Sequence, residues 1–138
     1  MAKTNDVETF DLSKFFSKDN EEKGKWFNLE INGKSSGIKA KLYGPNSSAV
    51  TIADDEFKKQ REEIELIKDV EEKEEAMQKA LAKRIAGYTI DLASISGKEL
   101  TVRGKPFTKD DIYTFYLNSP VLALEALRKA SNQVNFLD

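Results

Sequence analysis

Lys25-Trp26-Phe27-Asn28-Leu29-Glu30-Ile31-Asn32-Gly33-Lys34-Ser35-Ser36-Gly37-Ile38-Lys39-Ala40-Lys41-Leu42-Tyr43 is the stretch that decides how this chain of 138 residues folds. Trp26 and then Phe27, Leu29 and Ile31 approach a period of two, and Ile38, Ala40 and Leu42 resume it after the polar break Asn32-Gly33-Lys34-Ser35-Ser36-Gly37. Alternation on both sides of a turn containing Asn-Gly is a strong hairpin signal, because a tight hairpin turn needs residues that tolerate positive φ. The pattern predicts two antiparallel strands with Lys39 and Lys41 on the solvent face. A lone hairpin is marginally stable in water, so its apolar face must lie on the helices next in the chain.

The segment after Tyr43 reads as helical. Gly44-Pro45-Asn46-Ser47-Ser48 ends the strand, and Ser47 or Ser48 offers a side-chain oxygen to a helix start. Val50, Ala53, Phe57, Ile64 and Ile67 recur at spacings of three, four and seven, which makes one stripe apolar. The pattern resumes after Asp69 with Met77, Leu81, Ile85 and Tyr88. This predicts one long helix or two joined near Asp69-Val70. Asp54 to Glu75 holds 11 acidic and five basic residues, a local net of −6 that leaves +4 on the rest of the chain.

Beyond the charged helix, Tyr88 to Leu92 and Glu99 to Val102 flank Ser96-Gly97-Lys98, which suggests two short strands paired with each other or an irregular loop. Thr108 with Asp111 resembles a capping box that opens a short helix carrying Ile112, Phe115 and Tyr116. Ser119-Pro120 places Pro at a first helical position, and the last helix is predicted to run to about Gln133. Residues 1–23 read as a partly ordered arm, with the pair Phe15 and Phe16 pinning it to the body or to a partner. Residues 24–138 read as a single α+β domain, an N-terminal β-hairpin packed on a predominantly helical C-terminal bundle.

Composition narrows the chemistry. There is no Cys and no His, so a disulfide framework, a thiol nucleophile, a Cys/His metal site and an imidazole base are all excluded. A net charge of −2 exerts no general pull toward nucleic acid or anionic membrane. No apolar leader and no run near the ~18 apolar residues of a membrane span occurs, so a cytoplasmic, non-membrane protein is expected. The paired carboxylates Glu62-Glu63, Glu71-Glu72 and Glu74-Glu75 alternate with lysines at helical spacing, and a salt-bridged solvent face accounts for them better than catalysis or metal binding. Gly33-Lys34-Ser35-Ser36-Gly37 and Ser96-Gly97-Lys98 lack phosphate-loop spacing and read as turns. Lys34, Lys39 and Lys41 near Trp26 form too small a basic stripe to predict nucleic-acid binding. No metal, no cofactor and no catalytic residue is expected. The C-terminal segment carries more large apolar side chains than a short helix needs. Phe107, Phe115, Tyr116, Leu127, Phe136 and Leu137 are therefore the candidate partner-binding residues, with Phe136 and Leu137 the two expected to lie outside the core.

Gly24-x-Trp26-Phe27-x-Leu29, the boundary Lys41-Leu42-Tyr43-Gly44-Pro45-Asn46-Ser47 and the exit Lys83-Arg84-Ile85-Ala86-Gly87-Tyr88 resemble the tail assembly chaperones of long-tailed bacteriophages. The turn ending in Lys105-Pro106-Phe107 and the Ser119-Pro120 helix closing on Asn135-Phe136-Leu137 extend the likeness over residues 24–138. Tyr88 departs from it, standing where many relatives carry Trp. The resemblance implies a protein that is not an enzyme and binds the tape measure protein, keeping that long apolar polypeptide soluble while tail tube protein assembles around it. It also implies residence in the bacterial host cytoplasm and a longer form made by frameshifting; a homo-oligomer is a separate candidate partner, and no nucleic acid or membrane is expected. Two other readings stand beside it: a phage-encoded inhibitor that binds a host protein through the acidic helix, and a virion structural component.

Overall fold

The computed structural model describes residues 8–138, and the opening residues of the predicted arm lie outside this range. Strand β1 (Lys25–Ile31) pairs antiparallel with β2 (Lys34–Leu42), as the alternation requires. The turn is only Asn32-Gly33, both residues at positive φ (52° and 78°), so Lys34, Ser35 and Ser36 belong to β2 rather than to the break. Trp26 lies on the outer face, where the Lys39 ammonium stands 4.9 Å from its ring centroid.

The third strand corrects an expectation. Strand β3 (Thr89–Ser94) pairs with β2, giving the antiparallel order β1-β2-β3, instead of pairing with the segment just after it. That segment folds on itself as β4 (Thr101–Val102) and β5 (Lys105–Pro106) around Arg103-Gly104, again both at positive φ.

Among the described residues, five α-helices accompany the sheet: α1 (Lys18–Lys23), α2 (Ser48–Ile64), α3 (Val70–Gly87), α4 (Asp111–Asn118) and α5 (Pro120–Ala130). The charged segment is thus two helices. Ser47 caps α2 by accepting from the Val50 N–H at 3.2 Å, and Asp69 caps α3 by accepting from the Glu72 N–H at 2.9 Å. At α4, Asp111 accepts from the Thr108 N–H at 2.8 Å, but the Thr108 hydroxyl accepts no backbone N–H in return, so only half of the expected box forms. Helix α5 stops at Ala130, short of Gln133, and a 3₁₀ turn, Gln133–Phe136, comes after it.

The core lies between the inner face of the sheet and α3, α4 and α5, around Leu29, Ala40, Leu42, Ile85, Leu92, Ile112, Tyr116 and Ala126. Tyr116 is 1% exposed, and its hydroxyl meets Thr89 Oγ1 at 2.8 Å. Because Thr89 donates to the Ile85 carbonyl, Tyr116 is the donor in this pair. Burial pushes the Tyr116 hydroxyl up to about 12. From about pH 10 to about 12 the unfolded chain releases this proton and the folded one keeps it, so stability falls with rising pH through that window, by an order of 2–3 kcal/mol. Urea midpoints measured across it should drop for the native chain and drop less for Tyr116→Phe.

Two further features shape the outside of the molecule. Residues 17–23 are bonded to the body. Glu21 is 2% exposed, and its carboxylate accepts from Ser17 Oγ (2.9 Å), the Asn46 N–H (2.8 Å) and Asn46 Nδ2 (3.1 Å). Gly44 permits this approach, since a Cβ there would lie 2.9 Å from the Glu21 Cα. At the sheet margins, Glu125 accepts from the Glu30 N–H at 3.0 Å and holds Arg128 at 2.6 Å, while Asp91 accepts from the Leu92 N–H at 2.9 Å.

Candidate partner-binding surface

Helix α5 carries apolar residues around more of its circumference than one stripe requires. Leu122, Ala123, Ala126 and Ala130 are buried, and Val121 and Leu124 point the other way, 59% and 55% exposed. Pro at the first position sets where this helix begins and thereby which residues face out. Leu124 borders an apolar groove of about 150 Å³ between α3, α4 and α5, lined by Gln78, Leu81, Ala82, Tyr116, Leu117, Pro120, Ala123 and Leu124. Its walls are uncharged, which suits an apolar side chain better than an ionic ligand.

The six predicted residues do not converge on this groove. Tyr116 contributes to its wall, and Phe115 packs against Tyr116 with ring centroids 5.3 Å apart. Phe107 and Leu127 are half-buried and pack on the core. Phe136 corrects the expectation made for it. It is 0% exposed, its ring meets Phe27 edge-on at 5.2 Å, and no surface remains for a partner. Leu137 is half-buried, its carbonyl accepting from Lys25 Nζ at 3.3 Å. The tail is held down by backbone and amide bonds as well: Asn20 Nδ2 donates to the Phe136 carbonyl at 2.8 Å and to Asp138 at 2.7 Å, and the Asp138 N–H donates to the Phe16 carbonyl at 2.9 Å. Leu81, Leu117 and Leu124, which line this groove, and Val121 beside them are not among the partner-binding residues named from the sequence. The available signal was the run Val121 to Leu127, which holds too many apolar residues for a helix with a single buried stripe.

A second apolar surface lies near the start of the described chain. Phe10, Leu12, Phe15 and Phe16 are between 54% and 67% exposed, and Lys14 stands 3.9 Å from the Phe10 ring centroid. Phe15 and Phe16 therefore do not pin the arm to the body. Ser17, Asn20 and Glu21 hold it, through the bonds described above.

The acidic hairpin of α2 and α3 is exposed along its outer face, including Glu62, Glu63, Glu71 and Glu72. At the far end it is fastened by a cluster in which Asp54 accepts from the Tyr88 hydroxyl and from Arg84 Nε (2.9 Å), and Arg84 Nε also lies 2.7 Å from the Tyr88 oxygen. Burial, and then the bond to Asp54, hold the Tyr88 hydroxyl well above its ordinary value despite the nearby Arg84 charge. Among the described residues no group of three or more carboxylates is placed to hold a metal ion, and no helix is long and apolar enough to cross a membrane. No protein-family model matches the chain, no curated protein matches it, and no solved structure matches it.

Proposed function

We propose that this chain is a non-catalytic tail assembly chaperone, and that it shields helical segments of a tape measure protein against the groove between α3, α4 and α5. The observation that carries this reading is the outward apolar arc of α5, Val121 and Leu124, set beside that uncharged groove. Apolar residues at a spacing of three next to a furrow are what a partner helix needs for packing its own stripe. The exposed acidic outer face of α2 and α3 supplies the other requirement, since charge on the far side of the complex keeps an apolar cargo in solution. The sequence resemblance over residues 24–138 names the partner class.

Co-expression with a tape measure fragment followed by size exclusion provides the test. One co-eluting species is expected from the native chain. Leu124→Glu should abolish co-elution with an unchanged melting temperature, because a buried unpaired carboxylate at an interface costs several kcal/mol while the same residue in solvent costs little. Two separately eluting species from the native pair would sink the proposal. The exposure of Glu62, Glu63, Glu71 and Glu72 favours the inhibitor as a second reading. It expects binding to a host protein that collapses on reversal of these four charges and weakens steeply with salt, whereas the chaperone tolerates both.

A further inference from the structure

A furrow runs between α2 and α3 on the side of α3 turned away from the α4 and α5 groove. At about 100° per residue, Leu81 and Ala82 face that groove while Lys79, Lys83 and Gly87 lie on the opposite arc. The furrow encloses about 420 Å³ at the Ile52 and Gly87 end and continues into a hollow of about 310 Å³ beside Glu63 and Lys79, which Tyr113 of α4 also lines. Gly87 makes the helices meet closely here, since a Cβ would come within 2.8 Å of the Ala53 Cβ. Ile52, on the α2 rim, is 66% exposed.

The two rims are opposite in sign. Helix α2 contributes Glu56 and Glu63, and α3 contributes Lys79 and Lys83, with Lys83 facing Glu56 across the furrow at 2.6 Å. We propose that a second copy of this chain seats on the furrow about a two-fold axis parallel to α2 and α3. That rotation exchanges the rims without changing position along the helices. It sets Glu56 against Lys83 of the second copy and brings Glu63 within about one helical turn of its Lys79. Ile52 then packs over Gly87 of the second copy, where no side chain stands in the way. A two-fold axis across the helices would instead set acid on acid, so the charge pattern selects one arrangement. A partner of single charge would be repelled by one rim, which is why a self-complementary occupant fits best. The contact leaves the α4 and α5 groove open on both copies and does not depend on what binds there.

Sedimentation equilibrium of the full chain tests it. The native chain is expected to dimerise at concentrations up to about 100 µM. Glu56→Lys and Lys83→Glu should each be folded and monomeric, with the dimer dissociation constant raised about tenfold or more. Mixing these two variants should restore a dimer, because each then faces its complement on the other copy, while the pair within each chain stays broken. Ile52→Glu should also be monomeric with an unchanged melting temperature. A native chain that stays monomeric, a dimer that survives Ile52→Glu, or a mixture that fails to reassociate would each overturn the proposal.

Discussion

Phe136→Ala is expected to lower stability by about 3–5 kcal/mol, the range for deleting a buried aromatic ring whose surroundings cannot close. The ring is fully enclosed, it meets Phe27 edge-on, and its own backbone carbonyl is fixed by Asn20. Truncation therefore leaves a void between β1 and the tail and frees the segment that α1 holds. Urea unfolding of the variant should show a midpoint shifted down with an unchanged slope. A loss under about 1 kcal/mol would mean that the ring packs loosely and that Phe136 remains available to a partner after all.

Glu21→Ala is expected to cost about 2–4 kcal/mol, an unusual amount for a glutamate in a chain rich in them. Most acidic residues here sit in water, where substitution changes little. Glu21 is enclosed, pairs with no Lys or Arg among the described residues, and accepts one hydroxyl and two N–H donors. Alanine would leave the buried Ser17 hydroxyl without its acceptor, which costs about 1–3 kcal/mol, and would remove the two bonds to the exposed Asn46, whose donors can turn to water at a smaller cost. Glu21→Gln keeps one acceptor oxygen and most of the shape, so its loss should be clearly smaller. The partner variant Asn46→Ala should be sub-additive with Glu21→Ala, which a double-mutant cycle of melting curves will read directly. Full additivity would show that the two residues act separately.

Much of the architecture was legible because it is local. Asn32-Gly33 fixes the hairpin through the positive φ of two adjacent residues, and Ser47, Asp69 and Pro120 mark helix starts through groups within three residues of each terminus. These local signals together imply the α+β class. The pairing of β3 with β2 was not legible, because its register is set by Leu92 burying itself opposite Ala40 across a long separation in sequence. Phe136 was misread for the same reason: a tail of two apolar residues looks unanchored until Phe27 and Asn20 are seen to receive it. The groove was half legible. Tyr116 was named from the surplus of aromatics, but Leu117 and Leu124 become surface residues only once α4 and α5 cross α3, and no spacing within one helix reports such a crossing. Glu21 could not be told from its exposed neighbours, since burial there depends on Gly44 lacking a side chain.

The carboxylates at the two margins of the sheet have a consequence for how this chain behaves when crowded. A three-stranded sheet has two outer strands, and each offers unpaired N–H groups to which a foreign strand can zip. Here Glu125 occupies the donor of Glu30 on β1, and Asp91 occupies that of Leu92 on β3. Any incoming strand must first evict an anion already anchored, on one side, by Arg128. Growth by edge-to-edge addition needs both margins receptive, so the buried Glu125 and the half-buried Asp91 work against it at the two outer strands.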